Sequence, residues 1–392
     1  MPELTTALGC IVEHLNDRYN LSLAIILPPR GKWVSLSEDT GKRQRANKLL
    51  PLALIVALVA LFTINRALFP PPMLPFQDRR EMMDTWVTIT VYDREKTRAE
   101  RAIEAAFARM TKIEEIASIY DENAEAYMLN EQGRLDNPSP ELEEIIDAAK
   151  YYYKISKGAF DITVEPLLEL WDYEEGVEKQ FWELEPATQQ QAIAQAMTLL
   201  GADRIRMISS PDRAIVLDPG MKITLGGIAK GYAVDQGLEV LRQQGIEHAL
   251  IDAGGDIRVF GRKPNQEKWE LALRNPKDAD TSVVTFAIRD GAIATSGNYE
   301  RFFDPSAEIG HIMDPRTGYS SHASSSASVV APNCTQADAL ATAVFVLGPK
   351  DGISLVNTLD GVEALIIGYD DPQQVYESTG LDAYIDQEKG GQ

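Results

Sequence analysis

Residues Met221–Ile251 read MKITLGGIAKGYAVDQGLEVLRQQGIEHALI. An extended apolar run ends in Gly226-Gly227-Ile228-Ala229-Lys230-Gly231, and the spacing beyond it predicts an amphipathic helix that stops at Gly245. A strand, a glycine bend and a helix start together present backbone N–H groups to an anionic phosphate. The glycines let the backbone approach a ligand with no Cβ in the way, and Lys230 adds a cation. The stretch is not a Walker A loop, because Gly231 and not Ser or Thr follows Lys230. A glycine pair before a helix also arises from plain packing, so the meaning of this stretch depends on the rest of the chain.

Toward the C-terminus, 251–260 reads as strand, turn, strand, and further strands alternate at 269–273 and 283–288. A strand over 293–299 runs into a polar turn, and His311-Ile-Met-Asp-Pro-Arg-Thr-Gly318 is a turn-rich loop of the kind that carries function. Residues 335–348 read as a helix capped by Thr335 and ended by Gly348, and 363–369 as a last buried strand. Toward the N-terminus, strands are expected at 222–225 and 214–217, a helix at 185–200, and an exposed loop at 173–183. Gly158-Ala-Phe-Asp-Ile-Thr-Val-Glu-Pro166 reads as a glycine turn into a short strand, after a helix that Ser139 and Pro140 open and Gly158 ends. Ser118 to Gln132 is polar. Residues 97–117 place Ile103, Ala106, Phe107, Met110, Ile113 and Ile116 on one helical stripe, and Trp86–Tyr92 alternates as a half-buried strand. Strands and helices are interspersed without strict alternation and no fixed-period repeat occurs. The expectation is α+β, a single large mixed domain over 81–388.

The chain of 392 residues carries a net charge of −21, with its basic residues dispersed beyond the N-terminal region. That argues against a nucleic-acid groove and requires any bound polyanion to meet a local cation. Cys10 and Cys334 lie too far apart in sequence to suggest a disulfide framework or a zinc motif. Segment 1–48 carries no motif. Residues 49–64, LLPLALIVALVALFTI, are uncharged, with Lys42, Arg43, Arg45 and Lys48 before them and Arg66 after. This run lies between a signal core and a full span of about 20 residues. It reads as a signal anchor over 49–66, with a cleaved signal or a buried helix as alternatives, and its basic flank sets the N-terminus inside. A proline-rich linker is expected over 67–80.

Asp338 and Thr342 are four apart and share one helix face. A carboxylate plus a hydroxyl is half of a site for a hard cation such as Mg²⁺, which phosphates and water complete. The same pair also arises when the threonine bonds back to its helix and the aspartate favours the first turn. His311, beside Asp314 and Arg316, suits a general base at neutral pH, although a lone loop histidine is more often a surface residue than a catalytic one. Tyr120 and Phe160 could stack on a flat heterocycle and Asp161 could bond a ligand, or each could serve the fold alone.

Taken together and in order, Met83-Asp-Thr85, Ser118-Ile-Tyr120, Gly158 to Thr163, Leu225 to Gly231, Asp235, Thr295-Ser-Gly297, His311 to Gly318 and Ala337 to Thr342 resemble the FAD:protein FMN transferases, formerly described as thiamine-biosynthesis lipoproteins. The resemblance covers roughly residues 80–385. It implies an FAD site at Met83, Tyr120, Ala159, Phe160, Asp161, Lys230 and Ile312. It implies Mg²⁺ held by Asp338, Thr342 and the carbonyl of Gly227, with that of Ala341 as a further candidate. It implies phosphoryl transfer: a threonine of an acceptor protein attacks the phosphorus on the FMN side of FAD, AMP leaves, and His311 takes the proton. The acceptors so implied are flavoprotein subunits of membrane redox complexes, met by a domain anchored in the bacterial inner membrane and facing the periplasm. Two departures stand out. The family usually has Met-Gly-Thr where this chain has Met83-Asp84-Thr85, and Asp where it has Thr224; a lipobox cysteine is also missing. FAD hydrolysis to FMN and AMP, and flavin binding without turnover, are the competing functions.

Overall fold

The computed structural model describes residues 68–385 except 174, 266, 276–277, 299–301, 305–308 and 370–373, together with Leu58, Leu61 and Asn65. The chain divides into two units, Met1–Pro70 and Pro71–Gln392. In the first, Leu58, Leu61, Asn65 and Leu68 are helical and exposed. Segment 1–48 and most of the run 49–66 expected to anchor the chain lie outside the described residues. Everything below concerns the second unit.

Eight strands form one antiparallel sheet: β1 (Leu74–Met82), β2 (Thr85–Asp93), β3 (Ala249–Ala253), β4 (Asp256–Phe260), β5 (Gly291–Ser296), β6 (Ser324–Ala331), β7 (Glu363–Gly368) and β8 (Val375–Glu377). Each lies beside its neighbour in sequence, in the order β1 to β8. β1 starts at Leu74, inside the stretch 67–80 expected to be a linker and ahead of the expected domain start at 81. It is an edge strand, where Pro75 and the charges of Asp78, Arg79 and Arg80 are tolerated, and its apolar alternation is correspondingly faint.

The helices are α1 (Lys96–Ala117), α2 (Glu125–Gln132), α3 (Pro140–Ile155), α4 (Glu165–Trp171), α5 (Pro186–Met197), α6 (Ala229–Gln243) and α7 (Cys334–Val356). The predicted α1 stripe is buried throughout. α6 packs on both α1 and α7, and these three helices cover one face of the sheet through Val87, Ile89, Val91, Ile251, Val329 and Ile366. A hairpin, Trp269–Asn275 with Asp278–Ile288, covers the other face, closing over Val259, Ile293, Val330 and Leu365. A strand buried on both faces loses its alternation, which is why β7 reads as the continuous run Ala-Leu-Ile-Ile. The result is a single mixed α/β unit, as the interspersed pattern suggests.

Four local expectations are corrected. Residues 222–225 form no strand. Met221, Ile223 and Leu225 are buried in alternation, but the segment is held extended by the Asn130 amide, which bonds both Ile223 N–H (2.7 Å) and Ile223 C=O (2.8 Å), and by Thr224 N–H to Ile162 C=O (2.7 Å). The strand expected after Gly158 is a 3₁₀ turn, Ile162–Val164, leading into α4. Asp161 caps it, accepting from Thr163 N–H at 2.8 Å, and the cap overrides the β-branched residues that follow. The polar stretch 118–132 contains α2. α7 is capped by Asn333, one residue before its start, and not by Thr335; it continues past a kink at Gly348 (φ +77°), where the expected helix stops. α7 is also the one described helix long and apolar enough to cross a membrane, but more than half of it is buried in the unit, as a core helix is.

The β1–β2 turn explains the first departure from the family pattern. Met83 and Asp84 have φ of +53° and +56°, the left-handed pair of a tight hairpin, where glycine is favoured at the second place. Asp tolerates that conformation better than most residues but still pays a penalty. Asp84→Gly is expected to stabilise the protein by up to about 1 kcal/mol, the larger unfolded-state entropy of glycine offsetting part of the relief. A denaturation midpoint unchanged or lowered would contradict that assignment of strain.

Candidate active site at the diglycine bend

The bend Gly226-Gly227 lies against α7. A Cβ on Gly227 would come within 3.2 Å of both Phe160 Cε2 and Thr342 Oγ1, so the bare backbone brings three predicted site residues together. One turn on, a Cβ on Gly231 would collide with the Cys334 carbonyl and the Asp338 side chain. Gly231 N–H donates to Asp338 Oδ2 at 2.9 Å. The start of α6 is therefore pressed onto the first turns of α7 with nothing but backbone at the contact, and Asp338 and Thr342 face the bend. Ser296 Oγ, at the end of β5, lies 3.3 Å from Thr342 Oγ1, so that hydroxyl is turned toward the sheet and the bend.

Lys230 Nζ forms an ion pair with Asp256 and lies 3.9 Å from Asp338 Oδ1. Asp256 and Asp338 are each 3% exposed. Asp235, one turn beyond Gly231 on α6, accepts from Cys334 N–H (2.8 Å), Thr335 N–H (2.9 Å) and the Thr335 hydroxyl (2.6 Å), and pairs with Arg258 at 2.6 Å. It thus ties α7 to α6 and β4. Burial and the nearby Asp256 push the Asp338 carboxyl up to about 7, with Lys230 opposing them. A buried carboxylate flanked by a second one is a place where a cation is favoured. With Thr342 and the carbonyl of Gly227 it could hold a hard divalent ion. Among the described residues no group of three or more His, Cys, Asp or Glu offers a metal site. A set of one carboxylate, one hydroxyl and one carbonyl suits Mg²⁺, which keeps waters and takes phosphate oxygens, better than it suits zinc.

Phe160 packs edge-on against Tyr152, ring centroids 6.3 Å apart, and Ala159 is buried beside it. Asp161 spends its carboxylate on Thr163, and burial pushes it up to about 6. The Met83 turn sits at the same end of the sheet: a Cβ on Gly254 would collide with Thr85, and Gly254 precedes Asp256 by two residues. Met83 N–H donates to Glu114 Oε1 (2.6 Å), and the chain leaves α1 toward Tyr120, whose ring is 77% exposed, as a stacking platform requires. The loop after His311 is tied to the segment that follows β5 through Asn298. Its amide accepts from Ile312 N–H (2.9 Å) and donates to the Ser321 carbonyl (3.0 Å), and Asn298 lies two residues beyond Ser296. Trp171 braces the other side of the loop, donating to the Gly318 carbonyl at 2.9 Å. Ile312 points into the main core.

Three contributors are not evident from sequence. Asp256 follows a glycine pair that reads only as a hairpin turn. Asn298 reads as a polar turn residue. Glu165 lies in the segment taken for a strand; its carboxyl sits near the Thr224 hydroxyl and is pushed up to about 7, mainly by burial. A carboxylate therefore stands beside the Leu-Gly-Gly bend although position 224 itself lacks one. One expected donor is also spent: Gly231 N–H, among the amides read as phosphate ligands, serves Asp338. Ile228 and Ala229 N–H donate to the Leu225 carbonyl at 3.1 and 2.8 Å, so among the described residues the amides left for an anion are those of Gly226, Gly227 and Lys230.

Residues 83–366 match the ApbE family. The chain is 29% identical over 281 residues to the FAD:protein FMN transferase of Haemophilus influenzae, covering 69% of this chain and 80% of that protein. It is 28% identical over 322 residues to the FAD:protein FMN transferase of Treponema pallidum, covering 76% and 86%. In three dimensions it resembles the ApbE protein of Thermotoga maritima, with a TM-score of 0.71 at 29% identity over 80% of this chain and 100% of that one. The flavin transferase ApbE of Vibrio cholerae shares the fold, with a TM-score of 0.66 at 23% identity over 80% and 100%.

Proposed function

This chain belongs to the ApbE family, and from that premise we propose that it is a Mg²⁺-dependent FAD:protein FMN transferase, which moves FMN from FAD to a threonine of an acceptor protein and releases AMP. The observation that carries the reading is the junction of the diglycine bend with the buried pair Asp338 and Thr342, with Lys230 beside it. In it a diphosphate would meet the amides of Gly226, Gly227 and Lys230, an ammonium group and a cation site within about one turn of helix. Met83, Tyr120, Ala159, Phe160, Asp161, Lys230 and Ile312 are the residues proposed to hold FAD.

Asp338, Thr342 and the Gly227 carbonyl would hold Mg²⁺, which when bound supplies neutralisation of the diphosphate and of the leaving oxygen. The protein's own groups do the rest. The glycines admit the diphosphate to the backbone, and Lys230 balances its charge. Tyr120 steadies a ring, and the loop held by Asn298 brings His311 to the acceptor. The threonine oxygen forms a bond to the phosphorus on the FMN side, and the bond from that phosphorus to the bridging oxygen breaks. The bridging oxygen departs with AMP, and His311 takes the threonine proton. Anchored by the run 49–66 with this unit on the periplasmic side of the inner membrane, the enzyme would meet flavoprotein subunits of membrane redox complexes. Incubation with FAD, Mg²⁺ and candidate acceptors, followed by mass spectrometry, is the test. An added FMN on threonine supports transfer, AMP release with no modified acceptor supports hydrolysis, and FAD recovered intact supports binding alone.

The buried carboxyls also predict a pH signature. Asp161, Asp338 and Glu165 are raised from ordinary carboxylate values to about 6, 7 and 7. Between the unfolded and folded values the native state binds more protons than the unfolded one, so stability falls as pH rises from about 4 through 7. Metal-free protein in EDTA is expected to melt at a lower temperature at pH 8 than at pH 5. Mg²⁺ should recover part of the loss at pH 8, because a cation beside Asp338 favours its ionised form. A melting temperature indifferent to Mg²⁺ at pH 8 would count against a cation at that carboxylate.

A further inference from the structure

The C-terminal end of α3 opens onto a cleft of about 620 Å³, lined by Lys150, Tyr151, Tyr153, Lys154, Lys157 and Asp203. Resting on the transferase reading above, we propose that this cleft docks an acidic segment of the acceptor protein. The charges point to it. The chain carries a net charge of −21, and Lys96, Lys112, Lys222, Lys230 and Lys263 each lie within 4 Å of a carboxylate. Lys154 and Lys157 are exposed and, among the described residues, have no carboxylate within that distance. Lys150 is fixed as a wall of the cleft by donating to the Ile205 carbonyl at 2.5 Å. Asp203 is the one acid in the lining, and it lies close enough to the Tyr153 phenol to raise its pKa, while Lys154 and Lys157 have no carboxylate within 4 Å among the described residues. On a chain of net charge −21, two such ammonium groups side by side at the mouth of a cleft attract an acidic partner.

Position fits the same role. Lys157 is followed directly by Gly158-Ala159-Phe160-Asp161, the segment proposed to hold FAD. Tyr152, between two cleft residues, packs on Phe160, whose ring edge lies over Gly227. The Asp161 carboxylate is near enough to help hold the Tyr153 phenol neutral. The cleft therefore packs directly on the segment proposed to hold FAD. A volume of this size takes a few side chains and not a folded domain, and the exposed ring of Tyr151 offers them apolar surface.

The test is the variant Lys154→Glu/Lys157→Glu. Both side chains point to solvent, so the fold is retained. Transfer is followed by in-gel flavin fluorescence on the acceptor that the wild-type protein modifies. The apparent KM for acceptor should rise about tenfold or more and lose its dependence on salt, while the FAD Kd and the rate at saturating acceptor stay near wild type. Lys154→Arg/Lys157→Arg should restore the wild-type KM. An unchanged acceptor KM overturns the proposal. So does weakened FAD binding with the acceptor KM intact, which would make the cleft part of the nucleotide site. A wild-type protein that hydrolyses FAD but modifies no acceptor overturns both this proposal and the transferase reading.

Discussion

Asp338→Ala should abolish transfer while the protein stays folded. Asp338 has two tasks: its Oδ2 accepts from Gly231 N–H, and its Oδ1 faces Lys230 in the space proposed for the cation. Alanine leaves the amide of Gly231 without an acceptor, a loss of about 1–3 kcal/mol. It also removes a buried carboxylate whose raised pKa shows that its ionised form is disfavoured there, and this offsets part of that loss. Lys230 keeps Asp256 as its partner. Stability should therefore change little, whereas the cation site loses its only charged ligand. Disturbing the neighbours of a metal ligand already costs about 10–100-fold; removal of the ligand itself should exceed that. The checks are the flavinylation rate, Mg²⁺ binding by calorimetry and the melting temperature, measured on one preparation. Wild-type rate in the variant, or full wild-type activity in EDTA, would take the cation out of the mechanism. A variant that fails to fold is distinguished by its melting curve, and Asp338→Asn, which keeps a side-chain acceptor for Gly231, then carries the test.

The parts legible in sequence are those where one local pattern decides the outcome. The α1 stripe, the α3 cap at Ser139 (Leu142 N–H to Oγ, 3.2 Å) and the glycine stop of α6 appear where periodicity and capping put them. Asp338 and Thr342 share a face because a helix has 3.6 residues per turn, and that needs no tertiary information. What was not legible depends on partners distant in sequence. The run 222–225 alternates like a strand because both its walls are formed, yet a side chain, Asn130, takes the place of a neighbouring strand. Asp256 gains its role only because the β3–β4 turn comes up beside the start of α6. Glu165 meets Thr224 only because the 3₁₀ turn brings α4 back toward the bend. In each case the missing information was a long-range pairing, which composition and spacing do not encode.

His311→Ala is the companion experiment, with an effect of a different kind. The loop that carries His311 is held by its backbone: Asn298 clamps Ile312 and Ser321, Ser320 Oγ accepts from Gly310 N–H at 3.0 Å, and Trp171 holds Gly318. These backbone clamps should keep the loop in place in the alanine variant, with the FAD Kd within about twofold of wild type. A general base contributes about 10²–10⁴ in rate, and the maximal rate of transfer should fall by a factor in that range. The acidic limb of the pH–rate profile should flatten with it, since an imidazole must be neutral to accept the threonine proton and its reference pKa is about 6.5. The split between rate and affinity is decisive. Should alanine weaken FAD binding and leave the maximal rate intact, His311 is a nucleotide contact and the proton goes elsewhere. A rate loss without any change in the pH profile would point instead to the loop's geometry, and Asn298→Ala, which loosens the loop but keeps the imidazole, should then reproduce it. If His311 is the base, Asn298→Ala lowers the rate by displacing a group that still titrates, so its acidic limb survives, and the two variants separate on that limb.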